Sequence, residues 1–195
     1  HGRGFSAYER PGELSGSAVL GHPSALAPYA AALVAQSTAE GLLYTELRGS
    51  PHKYWPGDPG SFLCALQQAL QAAGANNPVD ALSPRVGFIW ILDRRYPEQM
   101  QATIECAVAA RQHAPDFLLG LDLAGDESTQ NPESLAQYFI PAFRECMPIT
   151  IHAGEGESAD NIWQAAYHLH ADRIGHGLSL ADNPSLAMRF RDRGI

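Results

Sequence analysis

The chain has 195 residues, 45% of them apolar, and a formal net charge of −8 from 13 basic and 21 acidic side chains. That length suits one domain or slightly more, with apolar content enough for a core. The acidic balance disfavours nucleic acid, which needs a cationic surface, no apolar run is long enough to span a bilayer, and no basic-then-apolar leader is present, so a cytoplasmic protein acting on a small molecule is expected.

Residues 1–23 are rich in Gly and Ser, with Pro11 and Pro23, and read as a loop or poorly ordered lead-in to a domain over 24–195. Residues 24–40 read as a helix, with Ser24 as N-cap and Gly41 as its stop. A strand is expected over 42–47, and Asp58-Pro59 opens a helix running to Ala73. Strands over 86–92 and 118–123 flank a helix opened by Pro97 and ending near His113. Asn131-Pro132 opens a helix to Cys146, and the β-branched run 147–151 reads as a short buried strand. A helix over 158–170, a strand over 173–175 and a helix opened by Asn183-Pro184 follow, and Gly194-Ile195 reads as the start of another strand. Cys64, Cys106 and Cys146 are far apart in helical context and read as reduced, packed thiols, and no CxxC pair marks a structural zinc site.

Five strands alternating with helices imply a parallel sheet covered by helices. No GxGxxG follows the first strand, so a dinucleotide-binding open sheet lacks its marker. Polar residues gather instead at the strand ends: Glu46 and Arg48, Asp93, Asp122 and Asp126, His152 and Glu155, His176. Such a ring favours a closed barrel, yet five units do not complete one that takes eight. The expected fold is therefore α/β, a partial TIM-type β/α barrel of about strands 2–6 of eight, with parallel strands and outer helices. The rest would come from a longer parent polypeptide or another chain, because two bare strand edges would be sticky.

The most informative string is His152-Ala153-Gly154-Glu155, at the end of the 147–151 run, followed by His176-Gly177 at the end of the next strand. Two histidines and a carboxylate at the carboxyl ends of neighbouring strands are how a metal-dependent active site is built on a β/α scaffold. Leu121-Asp122-Leu123-Ala124-Gly125-Asp126-Glu127 stands one unit earlier, and Glu46-Leu47-Arg48-Gly49-Ser50-Pro51-His52 closes the first strand. Together with Arg173-Ile174-Gly175-His176-Gly177, these strings, in this order, make residues 30–195 resemble the adenosine deaminase family.

The resemblance implies an eight-stranded β/α barrel that hydrolyses the amino group of an adenine nucleoside, nucleotide or base and releases ammonia. It implies one Zn2+ per complete site, with His152 as the zinc ligand on the fifth strand. Glu155 matches the acid that protonates the ring nitrogen beside the attacked carbon. His176 matches the histidine that orients and stabilises zinc-bound hydroxide, Gly125 the glycine whose backbone hydrogen-bonds the purine, and Asp122 a supporting carboxylate. Zinc brings the pKa of bound water to about 7, and attack on an aromatic carbon needs the ring nitrogen protonated, so the residue types suit the chemistry.

Departures from the family pattern carry expectations too. No His-x-His precedes residue 30, and the eighth-strand ligand with its aspartate lies beyond the sequence. His168 and His170 have that spacing, but late in an expected helix, where i and i+2 diverge. With one of four zinc ligands, this segment alone is expected neither to hold zinc tightly nor to turn over substrate. Asp126-Glu127 reads as a solvated pair at a helix entry or loop, Glu46 and Arg48 as an inward ion-pair network, and 52–55 as an aromatic loop. His22 and His113, with His168 and His170, read as surface or packing residues.

Two other functions compete. One is a deaminase-like binding or assembly subunit whose catalysis is lost or secondary. The other is a two-metal amidohydrolase, disfavoured because Gly125-Asp126 stands where a bridging lysine would. Expected partners are a small purine substrate and the rest of the barrel, with a homo-oligomer compatible with the sequence.

Overall fold

The computed structural model describes residues 4–129, 131 and 133–194. In chain order these form α1 (Gly4–Gly12), a π-helical stretch Glu13–Ser17, α2 (Ala18–Leu20), α3 (Leu26–Ala39), β1 (Tyr44–Gly49), α4 (Pro51–Tyr54) and α5 (Pro59–Ala72). Then come β2 (Arg85–Asp93), α6 (Pro97–Arg111), β3 (Leu118–Ala124), α7 (Ile140–Arg144), β4 (Ile149–Ala153), α8 (Ala159–Tyr167), β5 (Arg173–His176) and α9 (Pro184–Arg193). Short 3-10 segments occupy Pro23–Ala25, Glu133–Phe139 and Leu178–Asp182.

All five apolar runs expected as strands are strands, and they form one sheet in the order β1-β2-β3-β4-β5. Sequential order with a helical crossover between neighbours is the connectivity of a TIM-type barrel, whereas a doubly wound sheet reverses its order partway. β3 and β4 pair in parallel with Asp122 opposite Thr150, and β4 and β5 with His152 opposite Gly175 and Ala153 opposite His176. That register is what brings the polar strand ends to one level.

The described residues divide into two compact units. One runs to Ile89 and includes Ala109–Leu118. In it Leu26, Ala30 and Val34 of α3, and Phe62, Leu66 and Leu70 of α5, recur every four residues and are buried, so each helix turns one stripe to the core. α3 packs on α5. Burial of a side chain such as Phe62 contributes about 2 kcal/mol. α5 starts where Asp58 accepts from the Ser61 amide at 3.0 Å and the Ser61 hydroxyl at 2.6 Å, with Pro59 in the first turn, where its missing N–H costs nothing.

The other unit takes Trp90–Val108 and Leu119 onward. Trp90, Leu92, Leu121, Leu123, Ile149 and Ile151 are all buried, as the near-continuous apolar runs of parallel strands require. α8 packs on β4 and β5, burying Ile162 and Ala165.

The structure corrects several expectations. Residues read as a lead-in loop are helical from Gly4 to Leu20, and Leu20 is held by burial and by a hydrogen bond from Trp55 Nε1 to its carbonyl at 3.1 Å. The aromatic segment after β1 is a helical turn, α4, and the rings of Tyr54 (tilted) and Trp55 (edge-on) pack against Phe62 with centroids 5.0 and 5.7 Å away. The helix expected over 131–146 is a 3-10 run followed by the short α7. Pro141 inside one long helix would delete a ladder bond, and instead it occupies the first turn of α7. α8 stops at Tyr167, so His168 and His170 lie past its end, set edge-on against Trp163 and Phe143 respectively, and do not converge. Cys64 and Cys106 are half-buried but Cys146 is exposed. Gly194 is the left-handed cap of α9 (φ 71°) rather than the start of a strand, and Ile195 lies outside the described residues. No helix among the described residues is long and apolar enough to cross a membrane.

Candidate active site

The carboxyl ends of β3, β4 and β5 meet in one unit and carry the expected site residues. Asp122, wholly buried on β3, lies 2.8 Å from Nδ1 of His152 on β4. A buried carboxylate at Nδ1 favours the tautomer with the proton on that nitrogen, the form in which Nε2 can act as a ligand. The His176 ring sits edge-on to the His152 ring, 5.1 Å between centroids, and its Nε2 is 3.5 Å from a Glu155 carboxylate oxygen. His176 reaches this position through a left-handed backbone (φ 61°), which bulky residues adopt only when their surroundings demand it. The next residue holds the kink: the Gly177 amide donates to the Ala153 carbonyl at 2.9 Å. The Glu155 side chain is about half exposed, and that of His152 a quarter exposed.

Two glycines are required here. Gly125 (φ 98°) turns the chain off β3, and a Cβ on it would stand 2.6 Å from an Asp93 carboxylate oxygen. Gly154 (φ 78°) turns it off β4, and a Cβ there would meet Ile162 at 2.5 Å and the Ser179 hydroxyl at 2.8 Å. Both backbones therefore run close to their neighbours with no side chain between.

Two residues escaped the sequence reading. Arg94 follows β2 and is 3% exposed. Its guanidinium donates to the carbonyls of Leu123 (3.2 Å), Ala124 (3.3 Å) and His152, tying the ends of β3 and β4 together. Burial pulls it below the usual arginine range, against the opposing fields of Glu127, Asp122, Asp93 and Asp126. Asp93 is engaged by Arg95 in a 2.6 Å ion pair. The second is Glu127, expected to be solvated. Its neighbour Asp126 accepts from the amide (3.0 Å) and the hydroxyl (2.7 Å) of Ser128 in a local turn. Glu127 accepts from the amides of Gly154, Glu155 (2.9 Å) and Gly156 (3.2 Å) and from the Asn161 side chain at 3.3 Å. Partial burial pushes its pKa up, but the amides of Gly154, Gly156 and Glu155 together with Asn161 outweigh that and hold it below the usual glutamate range. Its sequence signal was an acid just past one strand end, facing a glycine-flanked, donor-rich turn at the next.

In the other unit Glu46 is half-buried and accepts from the Tyr44 hydroxyl at 2.9 Å, while Arg48 is exposed. Among the described residues no group of three or more His, Cys, Asp or Glu side chains could hold a metal by itself. With Nδ1 engaged by Asp122, Nε2 is the His152 atom that could serve as a metal ligand.

The model of the adenosine deaminase family matches residues 3–195. An adenosine deaminase of Pseudoalteromonas translucida is 32% identical over 181 residues, covering 92% of this chain and 53% of that protein. An adenosine deaminase of Photorhabdus laumondii is 35% identical over 178 residues, covering 88% and 50%. A solved amidohydrolase from Burkholderia ambifaria with bound Zn superposes with a TM-score of 0.72 at 26% identity, over 89% of this chain and 47% of that one. The chain spans about half the length of the curated relatives it matches, and its fold is the corresponding part of a TIM-type β/α barrel.

Proposed function

Since this chain belongs to the adenosine deaminase family, we propose that the protein carrying it hydrolyses the exocyclic amino group of an adenine nucleoside, nucleotide or base. Water supplies the oxygen that replaces nitrogen on the ring carbon, and the amine leaves as ammonia. The observation that carries this reading is the pairing of buried Asp122 with His152 beside Glu155 and His176.

Residue types fit a zinc site to the extent of one ligand: with Nδ1 of His152 taken by Asp122, Nε2 is the atom that would hold the ion. A zinc relative in the same fold supports that assignment. Bound zinc would supply Lewis acidity and ionise water near neutral pH. The chain's own residues do the rest. Glu155 delivers a proton to the ring nitrogen next to the attacked carbon, making that carbon electrophilic. Half exposed in this structure, it becomes enclosed only once a purine covers it. His176, its Nε2 3.5 Å from the Glu155 carboxylate, steers the attacking water. Gly125, bare of a side chain, lets backbone approach the purine edge.

The test is ammonia release by the intact protein with adenosine, AMP and adenine as separate substrates. Glu155→Gln, nearly isosteric but unable to give up the proton, is expected to lose about 100-fold or more. Retention of more than about a tenth of the activity removes Glu155 from the role. No ammonia from any of the three would favour a binding or assembly subunit instead.

A further inference from the structure

The geometry points to Glu127 as a positioning residue that aims Glu155, an inference that rests on the reading of Glu155 as the proton donor. Three consecutive amides, those of Gly154, Glu155 and Gly156, converge on the two oxygens of one carboxylate. Oε1 takes Gly154 and Asn161, and Oε2 takes Glu155 and Gly156. Successive backbone N–H groups curled around an anion form a nest, a motif usually filled by a bound ion. Here the chain fills it with its own side chain, brought 28 residues across from the end of β3 to Glu155.

Gly154 leaves β4 at φ 78°, so the turn has no regular strand or helix bonds to define it. What defines it is the Glu127 carboxylate on one side and, on the other, the Ser179 amide donating to the Gly154 carbonyl at 3.0 Å. The Glu155 side chain is half exposed, so its direction comes from where its backbone is held rather than from packing. Only a carboxylate suits the position. All four partners donate, and an amide in place of the acid would set an NH2 group against an N–H. Charge assistance also makes these bonds stronger than neutral ones. Misplacement of a catalytic group by about 1 Å can cost about 100-fold in rate.

The test uses the intact protein and four forms: unaltered, E127Q, E155Q and the double variant E127Q/E155Q. E127Q is expected to lower kcat about 100-fold with little change in KM or in zinc content, since substrate and metal are held by other groups. In the double variant kcat is expected to fall within about threefold of E155Q alone, because a residue that acts through Glu155 has nothing left to aim. Losses that multiply in the double variant overturn the inference. E127D, which keeps a carboxylate on a shorter arm, is expected to retain more activity than E127Q, and it replaces E127Q throughout if that variant does not fold. Amide hydrogen exchange at Gly154–Gly156 decides independently of turnover. Selective loss of protection there in E127Q supports the clamp, and unchanged protection overturns it, even if none of the three substrates is deaminated and the proposed activity itself falls.

Discussion

Single side chains at this site owe their geometry to partners on other strands. His152 is held by Asp122 through one ring nitrogen, and the distance of 2.8 Å with full burial of the carboxylate makes this a strong constraint. Asp122→Asn can no longer hold a proton on Nδ1 by charge, and zinc affinity of the intact protein, read by chelator competition, is expected to fall about 10- to 100-fold. Arg94 serves the backbone. Arg94 is nearly inaccessible, and its guanidinium satisfies the carbonyls of Leu123, Ala124 and His152. Arg94→Met keeps volume and removes the donors, and thermal or urea unfolding should show a loss of about 3 kcal/mol. At Gly154, Ala would combine a left-handed backbone with a Cβ driven into Ile162, for which a loss of about 2–4 kcal/mol is expected in the same measurement. Of these residues the strand-end histidines and Glu155 were legible from composition and spacing. Arg94 and Glu127 were not, because a charged residue after a strand looks the same in sequence whether it meets solvent or a neighbour's backbone.

At the level of elements, capping and periodicity carry most of the information. α5 is readable because Asp58-Pro59 announces its start and Phe62, Leu66 and Leu70 mark its buried stripe. The bonds that Asp58 accepts from the Ser61 hydroxyl and amide hold its pKa below the ordinary aspartate value of 3.8. A depressed folded pKa means the cap stabilises fully above that value and less as pH falls through the lower folded one. Asp58→Ala should therefore lower the melting temperature at pH 7, and the gap to the unaltered protein should narrow in scans below about pH 3.8. Asp58→Ser, which still accepts from the backbone, should keep most of the cap without that pH dependence. The segment 133–144 shows the opposite case. Its pattern reads as one helix, yet Pro141 needs a first-turn position, and the chain complies by winding 3-10 through Phe139 and restarting. The first helices were hidden by Gly and Ser, whose turn-forming signal outweighs Ala7 and Leu20 until Trp55, 35 residues on, supplies a partner.

For the molecule as a whole, the measurable consequence is metal stoichiometry. The intact protein is expected to retain one zinc per subunit after dialysis, where a two-metal amidohydrolase would retain two. The 195-residue chain by itself is expected to retain well under one, since among the described residues His152 has no companions able to complete a ligand set. A stoichiometric zinc on the isolated chain would show that ligands outside the proposed strand ends are in use. Strand identity, helix crossovers and the polar character of each strand end could all be read in one dimension, because each depends on neighbours within a turn or a pleat. Contact among Asp122, Glu127, His152, Glu155 and His176 could not, since it spans separations of 27 to 30 residues between β3 and β4 alone. Those contacts start from parallel register, which sets Asp122 beside Thr150 and Ala153 beside His176, and are completed by the turns that follow the strands. A slip of one residue between β3 and β4 would turn His152 to the face away from Asp122.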